Sequence, residues 1–174
     1  MKKLLLSLLL VITPIFIQAA DAGLEKAVTF TLTNTESTKI KVTETAEGLQ
    51  FDGCKNKVVF LVLFGHQCPP CNLEIPEFIK LQEKYKDNLA IFAIEAQQYS
   101  QEALKKFKTD KGINYNLIAG SENEDFISYV AGRARWNGAI PFLIVIDKNA
   151  QVQEVKAGFV PQAELEELIK TLNK

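Results

Sequence analysis

Residues 58–64, Val58-Val59-Phe60-Leu61-Val62-Leu63-Phe64, are apolar without a break and rich in β-branched and aromatic side chains, the pattern of a strand covered on both faces. Before them, residues 28–32 and 39–43 alternate apolar with polar around Asn34-Thr35-Glu36-Ser37, which predicts a hairpin with one face on the core. Residues 48–53 read as a turn region leading to Cys54. After the apolar run the period changes to that of a helix. It starts at Pro69, reaches about Tyr85 and carries Ile75, Phe78 and Ile79 on one face. Residues 89–94 are again continuously apolar, so strand, helix and strand make a right-handed parallel unit. Ser100 predicts the cap of a second helix that Gly112 ends. Residues 115–118 read as extended and 125–131 as a short helix. Ile140-Pro141 precedes a second buried strand at 142–146, and residues 151–156 alternate as the next. A last helix begins at Pro161 with Leu165, Leu168, Ile169 and Leu172 at helical spacing.

Length and composition add an address. A chain of 174 residues, 47% hydrophobic and 24% charged, predicts one folded domain with a real core. Residues 1–20 have the form of a secretory signal: Lys2 and Lys3, an apolar run, then the small residues Ala19 and Ala20. An uncleaved anchor is the alternative for this segment. Export would place the chain in the periplasm or an equivalent oxidising compartment, where a cysteine pair can cycle. Loss of residues 1–20 takes the basic count from 20 to 18 against 21 acidic residues, a net charge of −3. That balance argues against nucleic acid or an anionic membrane surface as partner.

The chemistry concentrates at Cys68-Pro69-Pro70-Cys71, where the buried strand meets the helix. Thiolate is the reactive form of cysteine, and a first helical turn has unpaired N–H groups and a partial positive charge that favour an anion. Cys68 is thereby placed as a nucleophile. Proline is tolerated in that turn, and Pro69 and Pro70 leave the N–H of Cys71 as the nearest donor to the Cys68 sulfur. Cys68 is therefore expected to ionise more readily than a free cysteine.

The order of elements resembles the thioredoxin fold, and more narrowly the exported thiol:disulfide oxidoreductases of the TlpA/ResA/CcmG type. The resemblance covers residues 27–172. It rests on Leu63-Phe64-Gly65 before the cysteine pair, Glu74-Ile75-Pro76 after it, Ile140-Pro141 with Asp147 beyond, and Gly158 ahead of Glu164-Leu165-Glu166. It implies a central mixed sheet flanked by helices, with the N-terminal β-hairpin and a small α/β insertion at residues 99–120. It also implies that Pro141 is a cis-proline facing the cysteines, with Ile140 pairing its backbone to an extended substrate. Cys68 would attack a protein disulfide and Cys71 would resolve the mixed disulfide. The redox group is then the Cys68–Cys71 pair itself, with no further cofactor and no metal. A membrane electron carrier would return electrons to a monomeric protein, and apocytochrome c or a copper-site assembly factor would be its client. Pro69, Pro70, His66 and Gln67 would border the substrate.

Several positions depart from that pattern. Gln67 stands where the family has a tryptophan, and Val62 where cytoplasmic thioredoxins keep a buried aspartate. Glu95 falls near the place where the exported branch carries a glutamate. It reads either as a base for Cys71, its carboxyl raised by burial, or as a charge on the surface at a strand end. His66 reads as an exposed neighbour tuning the thiolate, or as a general base. Cys54 reads as a small packed residue or as a reserve thiol. Trp136, with Arg133 and Arg135, reads as a rim of the substrate groove or as a cap on the core. Two readings outside turnover remain. One is a metal half-site completed by Cys54 and His66, better suited to Cu(I) than to zinc. The other is a thioredoxin-fold module that holds a metal or client without exchanging disulfides.

Overall fold

The computed structural model describes residues 27–174; the signal segment assigned to residues 1–20 lies outside the described residues. The hairpin forms from β1 (Thr29–Thr33) and β2 (Lys39–Glu44), paired antiparallel. A third strand, β3 (Leu49–Phe51), adds to β2 and makes this a three-stranded sheet. The sequence reads residues 48–53 as a turn only, because three residues are too few to establish an alternation. The alternation is there: Leu49 and Phe51 point into the core and Gln50 is half-buried, while the Thr45 N–H closes the preceding turn on the Gly48 carbonyl at 2.9 Å.

The second sheet has five strands in the order β6-β5-β4-β7-β8. Its centre is β4 (Val58–Phe64), buried at every position. It runs parallel to β5 (Leu89–Glu95) and antiparallel to β7 (Phe142–Ile146), so the sheet is mixed. β6 (Asn116–Ala119) extends the parallel side, and β8 (Val152–Ala157) is the antiparallel edge. The unbroken apolar run divides by the two-residue period of a strand. Val58, Phe60, Val62 and Phe64 join the core under α1 (Pro69–Lys84), α2 (Gln101–Lys111) and α4 (Gln162–Leu172). Val59, Leu61 and Leu63 join a second core, against the three-stranded sheet and α3 (Glu124–Ala134).

Element ends follow local chemistry. Ser100 Oγ accepts the Ala103 N–H at 3.3 Å and caps α2, and Gly112 in the left-handed region ends it. α3 runs past the expected 125–131 and stops at Arg135, which takes up the left-handed conformation. Gly132, three residues earlier, is a weak helix former but does not end the helix. Pro161 is the residue before α4, its carbonyl accepting the N–H groups of Glu164 and Leu165. α1 and α4 are tied where Lys84, Tyr85 and Lys170 donate to Glu166 at 2.7, 2.8 and 2.9 Å, which holds that carboxyl down at about 2.

Candidate active site

The end of β4 leads into a turn in which the Cys68 N–H donates to the Gly65 carbonyl at 3.2 Å. Gly65 lets two side chains close over the turn: a Cβ there would stand 2.3 Å from Gln97 Cδ and 2.7 Å from Ile140 Cδ1, and both would have to move. Cys68 is the N-cap of α1, extended in backbone, with Pro69 and Pro70 in the first turn. The Cys71 N–H donates to Cys68 Sγ at 3.3 Å, so the cap that serine or aspartate oxygen supplies elsewhere is here a sulfur. Cys68 and Cys71 form a disulfide with Cα atoms 5.2 Å apart. Both are largely buried, at 6% and 2% exposure, and Cys68 is the more open of the two.

Ile140 and Pro141 come to the same place from β7, the strand beside β4. Their peptide bond is cis, and the Ile140 carbonyl oxygen lies 3.9 Å from Cys68 Sγ. The Pro141 carbonyl accepts the Gly158 N–H at 2.8 Å. Trp136 braces this loop from behind. Its Nε1 donates to the Ala139 carbonyl at 2.7 Å, and its ring packs on Phe142 in the core under the three-stranded sheet. Arg133 pairs with Glu44 of β2 and Arg135 ends α3, so the three residues act in packing and element ends. Gln67 and Pro69 are exposed beside Cys68, and Pro70 is half-buried.

Glu95 is not a surface charge, one of the two readings its strand-end position allows: it is 0% exposed. Its carboxylate accepts the N–H groups of His66, Gln97 and Tyr99, and His66 Nδ1 lies 2.8 Å from it. Cys71 is not among its partners, which weakens its reading as the base for that thiol. His66 is less open than its reading as an exposed neighbour, with a side chain 16% exposed and its ring stacked on Tyr99 at 3.8 Å.

A different acid lies below the cysteines. Glu74 follows Cys71 by one helical turn on the same face and is 3% exposed. Burial, with a smaller push from the nearby Glu77 charge, raises its carboxyl to about 7 against the lowering effect of the Val160 N–H, which donates to Oε1 at 2.8 Å. Burial also pushes the Tyr115 phenol above its ordinary range, and the Glu74 charge adds to it. The sequence carries a sign of this. Cys71, Ile75 and Phe78 define the buried stripe of α1, and Glu74 occupies an apolar position within it.

Cys54 is 8% exposed, and burial pushes its thiol up to about 11. It precedes β4 whereas Cys68 follows it, so the seven residues of the strand separate them by roughly 20 Å. Cys54 cannot complete a metal site with Cys68 and Cys71. No cluster of three or more candidate ligands occurs among the described residues.

A cysteine pair at the N-terminus of α1, facing a cis-proline loop at the end of the neighbouring strand of a five-stranded mixed sheet, defines a thioredoxin-fold thiol:disulfide oxidoreductase. The chain belongs to the AhpC/TSA family, whose model matches residues 24–155. It is 27% identical over 149 residues to the thiol-disulfide oxidoreductase ResA of Bacillus anthracis, covering 85% of this chain and 77% of that one. In fold it is similar to a thioredoxin-family thiol:disulfide interchange protein from Chlorobium tepidum TLS, at TM-score 0.69 and 21% identity, over 84% of this chain and 94% of the other. A structure described as a putative thiol:disulfide interchange protein DsbE from Chlorobium tepidum aligns at TM-score 0.64 and 20% identity, over 86% and 96% of the two chains.

Proposed function

We propose that this oxidoreductase is an exported, monomeric reductant of protein disulfides. The observation that carries the reading is Cys68, capping α1 with its sulfur and set against the Ile140 carbonyl, where an extended chain could pair with the loop. In the reduced protein the Cys68 thiolate attacks a substrate disulfide, and one substrate sulfur leaves and takes up a proton. Cys71 then gives its proton to the Glu74 carboxylate and attacks Cys68 Sγ. The second substrate sulfur leaves and takes a proton back from Glu74. Two protein thiols are formed and Cys68–Cys71 is oxidised. A carboxyl held near 7 suits both directions of that transfer at neutral pH, and Glu74 replaces Glu95 in this role because the Glu95 oxygens serve other donors.

The reading extends to residues 1–20 as a signal, to a membrane electron carrier that reduces the oxidised pair, and to clients in cytochrome c maturation or copper-site assembly. No cofactor is required beyond the two cysteines. No described helix is long and apolar enough to cross a membrane.

The test is disulfide reduction in insulin by the purified chain, with Cys68→Ser expected to abolish it. Cys71→Ala should accumulate a mixed disulfide through Cys68, and mass spectrometry of the captured protein names the client. Capture of no protein through Cys68 in the exporting cell would overturn the assignment.

A further inference from the structure

The turn that delivers Cys68 is held from the side opposite the cis-proline loop. Strand order puts β5 on one flank of β4 and β7 on the other, and Glu95 closes β5 directly across from Phe64. Glu95 is wholly buried, yet among the described residues no lysine or arginine pairs with it. Three of its four partners are backbone N–H groups, which can only donate: His66 at 3.3 Å to Oε1, and Gln97 and Tyr99 at 3.1 and 2.9 Å to Oε2. The fourth, His66 Nδ1 at 2.8 Å, is the one partner able to gain or lose a proton. The Tyr99 ring, parallel to the imidazole within 3°, fixes its plane. Asn72 Nδ2 donates to the carbonyls of both His66 and Cys68, at 3.1 and 3.0 Å, and so ties the histidine's backbone to the nucleophile's.

A negative charge fixed beside this turn opposes a second one on Cys68, and a positive charge there offsets it. The groups facing the imidazole are Glu95 from β5 and the Tyr99 phenol after it, and Cys68 follows His66 by two residues in the same turn. Lys106 of α2 senses the phenol. The N-terminus of α1 adds a partial positive charge of its own.

We propose that Glu95 and His66 form a proton-holding pair that controls the ionisation of Cys68: a proton on the imidazole compensates the buried carboxylate and favours the thiolate, and its loss opposes it. His66 is a positioning residue in this role, because it acts through Cys68. The inference rests on the disulfide-exchange reading and adds to it the control of the nucleophile.

The experiment measures the rate of iodoacetamide alkylation of Cys68 against pH in the reduced full chain carrying Cys71→Ser, by peptide mass spectrometry. His66→Gln keeps an amide donor for Glu95 but cannot carry a charge, and it should move the ionisation midpoint of Cys68 up by about one pH unit, the order produced by loss of one nearby unit charge. Glu95→Gln should move it down, and the double variant should return close to the parent. A purely structural pair would instead be rescued by His66→Gln. An unmoved midpoint in His66→Gln, or a shift of the same sign in both single variants, overturns the proposal. Where thermal unfolding shows that His66→Gln fails to fold, the downward shift in Glu95→Gln decides. Insulin reduction by the unaltered chain reads the exchange assignment separately. Activity with unmoved midpoints removes this inference alone, and absence of activity removes the exchange reading.

Discussion

Glu74 is a carboxyl at an apolar position, and its effect on stability grows from nothing to a cost as pH rises. Its folded value, about 7, lies above the ordinary carboxyl value of 4.5. Below about pH 4.5 it is protonated in both folded and unfolded chains and contributes nothing. Between that value and about 7 the folded chain holds a proton that the unfolded chain has released, so stability falls as pH rises. Well above 7 the full cost is present, on the order of 3 kcal/mol. Glu74→Gln keeps an oxygen for the Val160 N–H and removes the charge. Thermal unfolding should therefore show the variant more stable than the parent at pH 8 and equal to it near pH 4.5. In single-turnover exchange at pH 7 the same variant should release its mixed disulfide at least tenfold more slowly, because Cys71 has lost its proton acceptor. Equal release rates would remove Glu74 from the mechanism.

At the scale of elements, β4 does two jobs. Its even-numbered side chains belong to the core under α1 and α4, and its odd-numbered ones to the core under the three-stranded sheet. Leu61, wholly buried in the second, should cost about 2–5 kcal/mol when replaced by alanine, measured by denaturant unfolding. The same variant should leave the alkylation midpoint of Cys68 unchanged, since Leu61 faces away from α1. The cap on α2 is a smaller contribution. Ser100→Ala loses the bond to the Ala103 N–H and should lower stability by about 1 kcal/mol. Elements such as β4, β5 and β7 are legible in the sequence because long apolar runs leave few alternatives. β3 is not, because its pairing with β2 is decided by tertiary contact of Leu49 and Phe51 with the core. The site divides in the same way. Cys68 and Cys71 announce themselves by spacing and by the start of a helix. Glu74 shows itself as a charge at an apolar position of the α1 stripe, but the burial of Glu95 and the stacking of His66 on Tyr99 depend on which strands become neighbours, and single-residue chemistry carries no trace of that.

For the whole molecule, the arrangement brings together four separate pieces of chain: the turn before α1, the end of β5, the loop before β7 and the stretch after β8. The last three meet that turn, Cys68 or α1 through Glu95 with His66, Ile140 with Cys68 and Val160 with Glu74, all within residues 27–174. A protein consisting of residues 27–174 alone is therefore expected to fold and to reduce insulin disulfides at a rate within twofold of the full chain. A loss greater than tenfold would assign part of the site to residues 1–26.

Cys54 carries a consequence for how the chain reaches this state. Three cysteines allow three different single pairings, and two of them use Cys54. An emerging chain in an oxidising compartment meets that choice before any core exists, when all three thiols titrate alike. Once the three-stranded sheet closes over Cys54, its raised thiol holds almost no thiolate at neutral pH and withdraws from the competition. Burial thus acts as a proofreader of disulfide pairing. Oxidative refolding of the reduced, unfolded chain should yield mispaired species through Cys54, and Cys54→Ala should raise the recovery of the native Cys68–Cys71 form.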